Sequence, residues 1–160
     1  MEFKHYSNDD LDKGINIIAR QIVLKRWKPD HIVGVLRGGI IPAVYLSHWF
    51  NCNMSAINWS TRDGKVVGDD GIKVAVKLLA DNKKVLLVDD ICDTGLTLEQ
   101  IVDEISKKLT KSKREKMTKT NLKVACLHHN IGQDLYDPDF YQIEINKDED
   151  PRWIKYPWER

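Results

Sequence analysis

Val85-Leu86-Leu87-Val88-Asp89-Asp90-Ile91-Cys92-Asp93-Thr94-Gly95-Leu96-Thr97 is the stretch whose reading decides the rest. Four consecutive aliphatics suit a strand buried on both faces, at the centre of a parallel sheet. Two carboxylates follow, and then Asp-Thr-Gly-x-Thr opens a segment with Leu98, Ile101, Val102, Ile105 and Leu109 at helical spacing. Strand, tight polar turn and helix start together form an anion site. Free amides and the positive end of the helix dipole converge there, and Thr94 and Thr97 add hydroxyl donors. Acids beside an anion site make sense when the ligand also carries hydroxyls or a metal. Carboxylates accept from sugar hydroxyls, and Mg²⁺ takes oxygen ligands from protein and phosphate together. The pattern therefore points to a phosphorylated sugar bound with Mg²⁺. The plainer alternative has Asp89 and Asp90 ending the strand and Asp93 capping the helix.

Val-Asp-Asp-Ile-Cys-Asp-Thr-Gly-Leu-Thr resembles the phosphoribosyl-pyrophosphate (PRPP) motif of the type I phosphoribosyltransferases. The resemblance implies a three-layer α/β fold with a mainly parallel sheet and a small C-terminal hood. It assigns Asp89 and Asp90 to ribose hydroxyls and the Mg²⁺ shell, and Thr94, Gly95, Leu96 and Thr97 to the 5-phosphate. Asp93 becomes the catalytic proton acceptor near the N7 of a base.

Earlier in the chain, His31-Ile32-Val33-Gly34-Val35-Leu36 reads as a second buried strand, followed by Arg37-Gly38-Gly39 and a helix over Ile40 to Phe50. Arg37 can pair with phosphate bidentately, and Gly38 and Gly39 let amides approach an anion closely. An exposed arginine on an ordinary glycine turn is the bland reading. By resemblance this is the pyrophosphate loop, held by Arg37 and Gly38, with a cis peptide at Leu36–Arg37.

The chain is expected to begin with a packing helix capped at Ser7, its apolar face made of Leu11, Ile15, Ile18 and Ile22, and stopped by Pro29. Asn53 to Asn58 reads as a short strand. Trp59 to Gly71 reads as a mobile loop, which in the family folds over PRPP; Trp59, Ser60 and Thr61 fall near a Ser-Tyr pair of some members. Ile72 to Lys77 alternates as a strand would. Lys107 to Lys123 carries eight basic residues and one acid, read as a frayed helix end and a solvated loop. Leu122 to Leu127 is a further strand, delivering His128-His129-Asn130 to the same sheet edge.

His129 falls where the xanthine-guanine enzymes carry a lysine that donates to the purine O6, so it is the candidate reader of the base edge. Metal binding by the two histidines is not expected, because neighbouring strand side chains point to opposite faces. Tyr141 to Ile145 alternates as a strand, and Trp153-Ile154-Lys155-Tyr156-Pro157-Trp158 closes the chain. That tail resembles the hood of the xanthine-guanine group. Trp153 would stack on the base, Ile154 would present backbone groups to its ring edge, and Trp158 would be structural.

The 160 residues are expected to form one domain, with a core to about residue 130 and the hood from about 131 to 160. A net charge of +1 implies no general attraction to nucleic acid or membranes. Three scattered cysteines match neither a zinc site nor a disulfide framework and suggest a reducing cytoplasm. The activity implied is a PRPP-dependent glycosyltransferase of purine salvage, favouring a 6-oxopurine such as guanine, xanthine or hypoxanthine. A homodimer or homotetramer is expected. The rivals are a non-catalytic PRPP or nucleotide sensor that binds RNA through Lys107–Lys123, and a transferase for a different base.

Overall fold

A computed structural model describes residues 1–59 and 70–160. Five strands form one parallel sheet: β2 (His31–Leu36), β3 (Asn53–Asn58), β4 (Val85–Cys92), β5 (Leu122–Asn130) and β6 (Phe140–Ile145). Their spatial order is β3-β2-β4-β5-β6, so the PRPP-like motif leaves the middle strand. Val85 to Val88 are all buried, as a strand covered on both faces requires. Helices α1 (Asn8–Leu24) and α2 (Ile40–Phe50) cover one face. There Leu11, Ile15, Ile18 and Ile22 pack with Ile32, Leu46, Leu86, Val88 and Leu127. Helices α3 (Asp70–Ala80) and α4 (Leu96–Lys107) cover the other, where Ile72, Leu79, Leu98 and Ile101 meet Val33, Leu87 and Val124. The result is the three-layer arrangement expected of the sequence.

Three local expectations are corrected. Asp70 and Gly71 open helix α3 rather than ending a loop, and Ile72 to Lys77 are helical rather than extended. Ile72, Ala75 and Leu79 are buried at helical spacing while Val74 is exposed. Over six residues the two periods overlap, and Leu79 breaks the tie. The rest of the expected lid, Ser60 and Thr61 included, lies outside the described residues. Trp59 itself is packed against the α3/α4 core and donates from Nε1 to Gln100 Oε1 at 3.1 Å. The basic segment is helical: α5 spans Lys111–Lys116, and a π-helical turn covers Met117–Asn121 with both end residues buried. It is anchored by Trp27, whose Nε1 donates to Thr120 O at 2.7 Å. Lys107, Lys108 and Lys123 are each paired with an acid.

The third correction concerns the ends of the chain. Helix α1 starts at the Ser7 capping box, but a strand precedes it, β1 (Phe3–His5). β1 runs parallel to β7 (Trp153–Lys155) in a separate two-stranded ribbon. The hood is therefore built from both ends of the chain. β6, which begins beyond residue 131, belongs to the main sheet. Helix α1 ends at Leu24, before Pro29, where Arg26 turns into the left-handed region with φ 52°.

A buried hydrogen bond ties the hood to the sheet. His128 Nδ1 lies 2.8 Å from the Tyr156 hydroxyl, which donates to the carbonyl of Asp90 at 3.2 Å. Tyr6 packs edge-on against both rings. Burial pushes the His128 imidazole down to about 4, with Lys4 adding to the effect. Between pH 6.5 and 4 the unfolded chain then binds more protons than the folded one, so stability is lost as the pH falls through that window. The loss amounts to up to roughly 3 kcal/mol. Thermal melts across this range should show the loss in the wild type and a shallower slope in His128→Gln. Parallel slopes would contradict the assignment.

Candidate active site

The site begins with two glycines. Gly38 and Gly39 follow β2, directly beside the end of β4, because β2 and β4 are neighbours in register. A Cβ on Gly38 would overlap the Asp90 carboxylate, and one on Gly39 would lie 2.5 Å from Val88 O and 2.8 Å from Asp89 Cα. Only hydrogen at these Cα positions lets the loop lie against the acid pair. The Leu36–Arg37 peptide is cis. Arg37 is exposed and makes no ion pair among the described residues.

Asp89 and Asp90 are half-buried at the end of β4. Asp89 Oδ1 accepts from the Asp90 amide at 2.9 Å, and Asp90 Oδ1 accepts from the Ile91 amide at 2.8 Å. Neither meets a cation among the described residues. Burial, and then the Asp90 charge, hold the Asp89 carboxyl well above the usual carboxylate range. Burial also raises Asp90, and Glu159 adds to it. Two oxygen-donor acids that resist ionisation side by side fit a hard divalent cation, which would relieve both the desolvation and the repulsion.

Beyond them the chain turns at Gly95, whose φ of 79° is left-handed, into helix α4. A Cβ there would also lie 2.6 Å from Gln133 Oε1. Gly95 at the N-cap position has no side chain to cap α4, and among the described residues no carboxylate accepts from the amides of its first turn. Asp93 therefore does not cap the helix, which removes the plainer reading of that residue. Thr94 Oγ1 accepts from the Leu96 amide at 3.3 Å, and Thr97 stands in the same first turn. Asp89, Asp90, Asp93, Thr94, Gly95 and Thr97 line one cavity of about 200 Å³. An anion entering it meets uncapped amides and two hydroxyls. Cys92 in this turn is buried, and its thiol is pushed up to about 12 by that burial and by nearby carboxylates, so it is not a reactive thiolate.

A larger cleft of about 750 Å³ opens beside the turn, between Arg37, Gly38, Asp90 and the hood residues Trp153, Trp158 and Glu159. Asp90 borders both spaces. Trp153 exposes half its surface there. The Trp153 amide donates to Glu2 O and the Tyr6 amide donates to Lys155 O, so alternation turns the N–H and C=O of Ile154 away from β1. Trp158 stacks on Tyr156 at 4.8 Å and 6°.

His129 sits elsewhere. Along β4 and β5 the side-chain alternation slips near the strand ends: Val88 and Ile91 lie in the α1/α2 layer, as do Leu127 and the ring of His128. His129 is left on the opposite face, buried against Tyr141, with Nε2 3.5 Å from Gln133 Nε2 and no partner for Nδ1 among the described residues. The structure brings Arg37, Gly38, Asp89, Asp90, Asp93, the Thr94–Thr97 turn and Trp153 together; it does not bring the His129 ring among them.

Two residues that sequence reasoning missed hold the far side of the site. Asn130 Nδ2 donates to Asp93 O at 3.1 Å and Asp93 Oδ1 at 3.2 Å, while its Oδ1 accepts from the amides of Gly132 and Lys147 at 3.1 Å each. Lys147 Nζ lies 2.8 Å from Asp93 Oδ2 and 5.2 Å from the centre of the Trp153 ring. No spacing in the sequence links these positions; the ends of β4, β5 and β6 meet only in the folded sheet.

Comparison with known proteins agrees with this geometry. Residues 6–159 match the phosphoribosyl transferase domain. The chain is 26% identical to the xanthine-guanine phosphoribosyltransferase of Gluconobacter oxydans, over 97% of this chain and 85% of that one. It is 27% identical to the hypoxanthine-guanine phosphoribosyltransferase of Saccharomyces cerevisiae, over 85% and 77%. A crystal structure of a purine phosphoribosyltransferase from Pyrococcus horikoshii superposes with a TM-score of 0.72 at 30% identity, covering 100% of this chain and 96% of that one. With its motif turn, glycine loop and parallel sheet in place, the chain belongs to the phosphoribosyltransferase family.

Proposed function

We propose that the protein transfers 5-phosphoribosyl from PRPP to a ring nitrogen of a purine, releasing pyrophosphate, as an enzyme of purine salvage. The observation that carries this reading is the shared border at Asp90. A cavity of acids, hydroxyls and amides adjoins a cleft with a guanidinium at one wall and an exposed indole at another. The names of the relatives agree with it: xanthine-guanine, hypoxanthine-guanine and purine phosphoribosyltransferases. Asp89 and Asp90 hold the ribose hydroxyls, and Thr94, Gly95, Leu96 and Thr97 cradle the 5-phosphate. Arg37 and the Gly38 amide hold pyrophosphate. Trp153 stacks on the base, and Ile154 offers its backbone to the ring edge. Asp93 accepts the proton from N7. The rate comes from holding donor and base in line and from stabilising charge on the leaving group.

Asp89 and Asp90 are also the residues that would hold Mg²⁺, whose charge, when bound, offsets that of the diphosphate. A 6-oxopurine is the favoured acceptor, and the cytoplasm is the proposed compartment. Tyr45 and Trp49 on α2, together with Val23 and Leu24 on α1, are exposed apolar residues that suit a homodimer or homotetramer.

Pyrophosphate release with PRPP, Mg²⁺ and guanine, hypoxanthine, xanthine or adenine tests the reading directly. Turnover of at least one 6-oxopurine is expected, and its absence across the panel would refute the proposal. Asp93→Ala should cut kcat by about 10²–10⁴-fold; full turnover would remove Asp93 from the chemistry. Gly38→Ala should raise the KM for PRPP at least about tenfold, because the new methyl displaces the Asp90 carboxylate. Asp89→Asn should do two opposite things. It should abolish PRPP-dependent turnover yet raise the Tm of the ligand-free protein by about 2–4 °C. The sign follows from the raised carboxyl: ionising it costs more folded than unfolded, so stability falls as pH rises through its titration. A lowered Tm would contradict that account.

A further inference from the structure

Lys147 leaves β6 and reaches back across the site, where its side chain is 19% exposed. Its amide is fixed by buried Asn130 at 3.1 Å, so the ammonium starts from a set position. Nζ lies 2.8 Å from Asp93 Oδ2 and 5.2 Å from the centre of the Trp153 ring. It thus stands between the carboxylate placed at N7 and the indole placed against the base plane. A base stacked on the indole face that Lys147 covers would take the place of the ammonium.

The ammonium has somewhere to go. On a purine, N7 and the 6-substituent share one edge. In guanine that edge carries two acceptors, N7 and O6; in adenine it carries the N7 acceptor and an N6 amino donor. A cation already at hydrogen-bond distance from the N7 acid is therefore next to position 6. An ammonium has three hydrogens, and Asp93 engages one of them. Two other side chains that could serve the base edge are placed differently: Asn130 Nδ2 is held by Asp93 itself, and His129 lies on the opposite face of the sheet, against Gln133 and Tyr141.

We propose that Lys147 reads position 6 of the base, donating to a 6-oxo group and rejecting a 6-amino group, and that it guards the Trp153 face until the base arrives. This rests on the transferase reading and on Asp93 at N7. Specificity is placed on a residue from the end of β6 rather than on the strand-end histidine. A 6-amino group meets a donor with a donor, and the penalty falls on the wrong substrate rather than on both.

The test compares wild type, Lys147→Met and Lys147→Arg in the pyrophosphate-release assay with hypoxanthine, guanine and adenine. Lys147→Met should lower kcat/KM for hypoxanthine and guanine roughly 10- to 100-fold, mostly through the KM for base. The KM for PRPP should stay within about twofold, and adenine turnover should hold or rise, so the oxo-to-amino ratio collapses. Lys147→Arg, which keeps a donor cation, should recover most of the ratio. Equal losses for hypoxanthine and adenine would mean that Lys147 only supports the fold and would overturn the proposal, as would an unchanged ratio or a wild type that prefers adenine. A wild type that turns over no purine refutes the underlying transferase reading, and this inference falls with it. A ratio that survives in an active Lys147→Met refutes the inference alone.

Discussion

The close approach of the β2 loop to the end of β4 sets the geometry of everything around it. Gly38 and Gly39 have no Cβ, so the loop presses against Asp90 and the Asp89 backbone. This puts the Arg37 guanidinium and the Asp90 carboxylate in the walls of one cleft without an ion pair between them, with Asp89 in the adjoining cavity. Two half-buried carboxylates left without a cation cost stability in the ligand-free protein. That cost is what a magnesium-bound diphosphate would remove, and it explains why the two charges sit where a fold alone would not place them.

The remaining walls come from elements distant in sequence. Tyr156 bridges His128 on β5 and the Asp90 carbonyl on β4, fixing the hood over the strand ends. Asn130 joins the turns after β4 and β5 to the end of β6. Each link is a buried or partly buried hydrogen bond that engages a side chain, which fixes position more strictly than apolar contact does. A hood held this way can carry Trp153 at one wall of the cleft while Arg37 and Gly38 form another.

Much of the fold was legible because its signals are local. The apolar runs of β2 and β4 can only be strands covered on both faces, and the spacing in α1 and α4 marks their buried sides. The motif turn was legible because its residue types work only in that order. What escaped were features that local sequence does not encode. β1 is three exposed residues that become a strand only because β7 lies alongside. Helix α3 reads as a strand in the sequence because Ile72 to Lys77 fits both periods over so short a span. The slip in alternation near the ends of β4 and β5 decides which face His129 takes, and nothing in the residues themselves announces it. Lys147 stands among charged turn residues, and only the meeting of three strand ends picks it out.

The account depends on the turn from Asp89 to Thr97 holding a sugar phosphate through amides and hydroxyls while the acids hold its ring and metal. A crystal structure of the protein with PRPP and Mg²⁺ tests this most directly. The account predicts the 5-phosphate within hydrogen-bond distance of the Thr94–Thr97 amides, ribose hydroxyls on Asp89 and Asp90, and diphosphate beside Arg37. PRPP bound elsewhere, or a turn left empty at saturating PRPP, would contradict it.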